Sequence, residues 1–183
     1  MFDKKTVLIL GAGSEQLPAY KICKNNLATI IGVDKNKNAP GLKLANYKII
    51  TSIRSDNKLI SKIKKLKIKI SAVVTVANDI PEIYYNICKE LKVKNISKKS
   101  SILAANKLKL YKELVKNNVT VPKFFSIKKI DEGKKIIKKN NLKFVLKPTD
   151  GRGSRGVNYI SSLKNFKYSF ENTKFTSLFI KVK

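Results

Sequence analysis

The chain has no histidine and no tryptophan, only two cysteines and one methionine, and 12 acidic residues against 40 basic ones. Without histidine there is no imidazole general base, no Ser-His-Asp triad and no histidine metal ligand. Cys23 and Cys88 are far apart and form no Cys-x-x-Cys pair, which excludes the zinc and dithiol-redox patterns. A reduced, cytoplasmic protein with both thiols in helix cores is the expectation. No run of about 18 apolar residues occurs, so neither a transmembrane helix nor a membrane partner is expected. Near the start, Val7–Leu10 is followed at once by Gly11, an apolar stretch too short for a signal-peptide core.

What is present argues for a folded protein. Hydrophobic residues make up 43% of the 183 positions, too many for a disordered chain. A chain of this size buries roughly 70% of its unfolded surface, enough for one ordinary domain or two small ones. The formal charge of +28 suggests a polyanionic partner. However, arginine occurs only at 54, 152 and 155, and lysine supplies the rest, spread along the chain rather than clustered. Isoleucine and asparagine are abundant as well, and all three residue types share A/T-rich codons. Codon bias accounts for such a balance without selection for binding. A specific nucleic-acid partner is therefore not expected, and a basic nucleic-acid-binding module stands as an alternative only.

Strands and helices alternate along the first ~95 residues. Short apolar runs at Thr6–Leu10, Ala28–Val33, Tyr47–Thr51 and Ser71–Val76 read as strands. Between them, helices are expected at about Glu15–Asn25, with Ala19, Ile22 and Cys23 facing inward, and from Asp56, with Leu59, Ile63 and Leu66 recurring. A third helix is opened by Pro81 and capped by Asn78 or Asp79. This alternation predicts βαβ units and a parallel sheet. Lys92–Ser101 is basic and polar and reads as a linker. Beyond it come a helix at Asn106–Asn117 with Leu108, Tyr111 and Val115 on one face, strands at Lys123–Ile127, Lys143–Lys147 and Gly156–Ile160, and a helix at Asp131–Lys139. A helix from Leu163 and a last strand at Ser177–Val182 complete the pattern. The domain boundary is expected at 97/98.

Two glycine loops carry candidate chemistry. Gly11-Ala12-Gly13-Ser14-Glu15-Gln16 lies between a strand and a helix, where backbone N–H groups can face an anion, and Asp34 ends the next strand where a ribose-binding acid would sit. Gln16 occupies the third glycine position of the dinucleotide pattern, so a tight strand-to-helix turn and NAD(P) binding both stay open, the turn being favoured. The second loop, Lys147-Pro148-Thr149-Asp150-Gly151-Arg152-Gly153-Ser154-Arg155-Gly156-Val157, is more distinctive. Its glycines permit positive φ and close backbone approach, and it is not a Walker loop. Two of the three arginines are here, and guanidinium grips phosphate in a bidentate way that lysine does not. Flanked by strands, the loop is either a phosphate-gripping flap or a plain surface hairpin. Lys147, held extended before Pro148, sits at its root. Lys107 opens the helix after Asn106 and borders its inner face. Each lysine taken alone reads as a surface residue.

Taken in order, Asn106-Lys107, Val121-Pro122-Lys123, Val145-Leu146-Lys147-Pro148 and Gly151–Val157 resemble an ATP-grasp enzyme. The upstream segments Leu8–Gly13, Gly32-Val33-Asp34 and Asn38–Gly41 are similar to the domain that precedes the ATP-grasp fold in carbamoyl-phosphate-synthase-like and formate-dependent purine-pathway relatives. The resemblance implies an α/β chain with a Rossmann-like pre-ATP-grasp domain (1–97), followed by the first α+β subdomain of an ATP-grasp fold (98–183). It implies that ATP and Mg2+ are cofactors, with phosphate contacts from Lys107, Lys147, Gly151, Arg152, Gly153, Ser154, Arg155, Gly156 and Val157. A small carboxylate would be activated as an acyl phosphate and captured by an amine or thiol. Lys181 stands where the family has a glutamate, and the family's metal carboxylates have no counterpart here. The expectation is a truncated or split enzyme, inactive alone, with a second polypeptide as possible partner and an unpaired or exposed apolar edge at the last strand.

Overall fold

The computed structural model describes residues 5–140, 143–151, 153–172 and 177–181. It divides into two compact units, residues 1–101 and 102–183.

The first unit is a parallel four-stranded sheet of β1 (Thr6–Leu10), β2 (Thr29–Asp34), β3 (Tyr47–Ile50) and β4 (Ala72–Thr75), in the order β3-β2-β1-β4. Leu8 pairs with Ile31 and with Val73. Helix α1 (Leu17–Asn25) connects β1 to β2 and α2 (Asp56–Lys65) connects β3 to β4, a short 3-10 segment at Pro40–Leu44 joins β2 to β3, and α3 (Pro81–Glu90) follows β4. Both faces are covered, which is why β1 and β2 read as continuous apolar runs rather than alternating ones. One face packs Leu8, Leu10, Ile31 and Val33 with Leu59, Ile63, Ile87 and Cys88. The other packs Ile9 and Ile30 with Ala12, Tyr20, Ala39 and Leu42.

Several expectations need correcting here. On α1 the inner stripe runs through Ala19, Tyr20 and Cys23, while Ile22 is 63% exposed. Tyr20 takes the inner position because it fills space left by two glycines: a Cβ on Gly32 would lie 2.8 Å from the Tyr20 hydroxyl, and one on Gly41 2.7 Å from its ring. Neither Asn78 nor Asp79 caps α3. Ile80 holds the cap position, and Asn78 Nδ2 donates to Leu10 O at 2.8 Å instead. For α2 the cap position is Ser55, one residue before Asp56. The expected linker is partly helical: α4 (Lys98–Ala105) starts after Ser97, whose Oγ accepts the Ser100 N–H at 3.0 Å as a helix-opening serine does.

In the second unit, α5 (Lys107–Lys116) precedes an antiparallel sheet of β5 (Phe124–Ile127), β6 (Phe144–Pro148), β7 (Asn158–Ile160) and β8 (Ser177–Lys181), in the order β5-β8-β6-β7. Helices α6 (Ile130–Asn140) and α7 (Leu163–Asn172) supply the rest of its core, in which Ile127, Phe144, Leu146, Ile160 and Phe166 are fully or almost fully buried. On α5, Val115 is 51% exposed, against the expectation that it faces inward. The last strand is also not an edge: β8 is bonded to β5 on one side and β6 on the other, so the unpaired apolar edge expected there does not exist. Among the described residues no helix is long and apolar enough to cross a membrane.

Candidate functional site

The second glycine loop joins β6 to β7, which are paired antiparallel with Leu146 opposite Asn158. The alternation of β6 buries Phe144 and Leu146 and turns Val145 and Lys147 to the other side, where they are half-buried. Strand β7 starts two residues later than its sequence suggests. Val157 N–H donates to Ser154 O at 3.2 Å, closing a turn that uses up Gly156 and Val157. Inside the turn three residues have positive φ: Gly153 (56°), Ser154 (56°) and Gly156 (74°). A side chain at Gly153 would meet nothing within 4 Å, so the backbone there lies open to an incoming group. Gly151 is the opposite case. A Cβ there would stand 2.9 Å from Pro148 Cγ and 3.2 Å from Arg155 O, so the two limbs of the loop close on it. Arg155 and Val157 are exposed, whereas Arg152 lies outside the described residues.

Helix α5 reaches the proximal limb. Asn106 caps it, its side chain accepting Lys109 N–H at 3.0 Å. The next residue, Lys107, donates its own N–H to Thr149 O at 2.7 Å, and its ammonium donates to Gly151 O. One turn further on, the Tyr111 ring lies beneath the Lys147 ammonium, 5.5 Å from centroid to Nζ. Phe124 of β5 meets the same ring edge-on at 5.2 Å. The structure thus brings Lys107, Lys147 and the loop together. Tyr111, which the sequence offers only as a core-facing residue, joins them; the signal for it was its i, i+4 spacing from Lys107. Two positive charges, a helix N-terminus and open glycine backbone at one place suit an anion of phosphate type.

For a divalent metal the residues do not fit. Among the described residues no three acidic or thiol side chains converge. Asp131 is paired with Lys134 at 2.9 Å, which holds its carboxyl below the usual range, and Asp150 and Glu171 stand apart on the surface. No magnesium site is assigned to these residues.

The first glycine turn is occupied by its own chain. Gly11 N–H donates to Val33 O, Ala12 N–H to Asp34 Oδ2 at 2.8 Å, and Gly13 N–H to Gln16 Oε1 at 3.0 Å. Gln16 Nε2 in turn donates to Val76 O. Asp34, expected as a ribose-binding acid, instead accepts the Ala12 amide of the turn through one oxygen and the Asn36 amide through the other. The dinucleotide reading loses its cradle, and the turn serves as a tight connection between β1 and the helix.

The architecture defines the chain's class as α/β, with a fold shared with solved structures of longer enzymes. Residues 104–183 match the family model of the ATP-grasp domain, so the resemblance carried by the ordered motifs holds. Among solved structures, N5-carboxyaminoimidazole synthetase from Staphylococcus aureus complexed with ADP superposes with a TM-score of 0.81 at 17% identity, covering 98% of this chain and 48% of that one. Carboxyaminoimidazole ribonucleotide synthase from Aspergillus clavatus complexed with ATP gives 0.80 at 15% identity, covering 100% and 48%. The biotin carboxylase domain of Hydrogenobacter thermophilus 2-oxoglutarate carboxylase, complexed with MgADP, ADP and bicarbonate, gives 0.79 at 17%, covering 97% and 44%. No curated protein matches the sequence. The chain spans about half the length of these solved structures.

Proposed function

We propose that the chain is the ATP-binding part of an ATP-grasp ligase, one that activates a small carboxylate as an acyl phosphate for capture by an amine or another nucleophile. The observation that carries this reading is Lys107. Its backbone N–H and its ammonium both bond carbonyls of the glycine loop, tying a helix N-terminus to the loop that would cover the phosphates. Lys147 would meet a phosphate oxygen at the loop's root, with Gly151–Gly156 and Val157 folding over the triphosphate and Arg155 adding a bidentate donor. Such chemistry asks the protein for positioning and charge stabilisation rather than proton relays, which suits a chain without histidine. The nucleotide and bicarbonate in the neighbouring structures support the substrate class. The chain aligns with about half of those proteins, and nucleotide binding is the part of the reaction we assign to it. The two unpaired thiols suit a reduced, cytoplasmic setting.

Calorimetric titration with ADP tests the reading. Lys147→Met and Lys107→Met are each expected to weaken binding about tenfold or more, as loss of a charge-assisted contact does, while Asp34→Ala leaves affinity unchanged. A folded wild-type chain that binds no adenine nucleotide, with or without Mg2+, would refute it.

A further inference from the structure

Helix α5 contributes a second residue whose place the phosphate reading does not explain. Tyr111 sits one turn after Lys107, and its ring is fixed edge-on by Phe124 at 5.2 Å. Above the ring, Lys147 Nζ stands 5.5 Å from the centroid, within the range at which an ammonium is drawn to the negative face of an aromatic ring. A lysine at the end of a strand has a flexible four-carbon stem, and its ammonium ordinarily samples many positions in solvent. Here the stem is half-buried, and the ring offers the head a fixed resting place at the root of the loop. Packing alone would be served by any apolar residue at 111. The aromatic face adds an electrostatic well, and the π cloud, having no lone-pair acceptor and no net charge, leaves the ammonium's N–H donors available to an incoming oxygen.

We propose that Tyr111 is a positioning residue for Lys147, holding its ammonium over the ring so that it is aimed at the phosphate site before nucleotide arrives. The inference rests on the nucleotide reading above and deepens it. The helix start holds the loop through Lys107, and the next turn of the same helix holds the charge at the loop's root through Tyr111. The ordering cost that a free lysine would meet on binding is thereby met in folding.

Two measurements on the full chain test it. The first needs no nucleotide. Reductive 13C-dimethylation of the lysines gives one methyl resonance that disappears in Lys147→Met. It should be displaced upfield by the ring current in the wild type and in Tyr111→Phe, and return to the ordinary lysine position in Tyr111→Leu. The second is ADP affinity. Tyr111→Phe should bind like the wild type, Tyr111→Leu about fivefold more weakly, and Tyr111→Leu combined with Lys147→Met no more weakly than Lys147→Met alone. A Lys147 resonance that does not respond to the ring overturns the contact. Equal losses from Tyr111→Leu in both backgrounds, or none in either, overturn the positioning role while leaving the nucleotide reading standing. Failure of the wild type to bind ADP overturns that reading and, with it, the purpose assigned to Tyr111.

Discussion

Two glycines of one loop, two residues apart, are required for different reasons. At Gly151 the objection to a side chain is space, since Pro148 and the Arg155 carbonyl already crowd the position. At Gly153 space is open and the objection is the backbone, held at φ 56°. Gly153→Ala should cost about 1 kcal/mol of stability and leave the loop in place. Gly151→Ala should cost about 1–3 kcal/mol, as overpacking does, and displace the carbonyl that Lys107 holds. Urea unfolding checks the order, and amide exchange across 149–157 checks the displacement, which only Gly151→Ala should show. Ser154 shares the positive φ without being glycine, so sequence alone could not mark it as strained. Lys107 was legible as a candidate from the order of motifs. That its ammonium holds Gly151 O was not, because 44 residues separate the two.

Element ends are set by local chemistry more often than by apolar pattern. Helix α6 begins at Ile130, and Glu132 reaches back to accept the N–H groups of Lys128 at 2.8 Å and Lys129 at 3.3 Å. Those two bonds, first Lys128 and then Lys129, hold its carboxyl below the usual glutamate range. A carboxyl lowered in the folded state contributes stability that is present above its unfolded pKa and lost as pH falls through its folded value. Thermal melts should therefore show the wild type losing more Tm between pH 6 and pH 3 than Glu132→Gln does; parallel losses would remove Glu132 from the acid response. Helix α4 escapes the sequence pattern because its first half, Lys98–Ser101, is polar and basic, and its apolar residues, Ile102–Ala105, follow in one unbroken run. With no apolar period to read, the only signal was Ser97 three residues before Ser100. The placement of β8 was equally invisible. Its apolar run announces a strand, but only pairing puts it between β5 and β6, and the last strand in sequence became a central one.

At the scale of the whole chain, 40 basic residues face 12 acidic ones, and the ion pairs given by the described residues, Lys64–Glu90 and Lys134–Asp131, both lie on the surface. Exposed pairs of this kind stabilise little. The uncompensated lysines repel one another across the surface and oppose compaction. Raising salt from ~10 mM to ~150 mM shortens the Debye length from about 30 Å to about 8 Å and should raise Tm. A Tm that falls or stays level over that range would show that the lysines are spaced too widely to interact. The same charge did not identify the function. What distinguished the site was the rarity of arginine and the spacing of glycines, since lysine is everywhere.

The alternation of strands with helices, the apolar centres of both units and the lysine–glycine–arginine order were settled by the sequence, because each is a local pattern: a period, a turn or a motif. Which residues meet was settled only by folding. Asp34 closes the first glycine turn, Tyr20 outranks Ile22 on α1, Lys147 rests on Tyr111 and Lys107 holds the loop. Each of these joins groups that different elements carry or that a helix turn orients, and side-chain volume and charge select among the possible contacts only once strand pairing has brought the elements together.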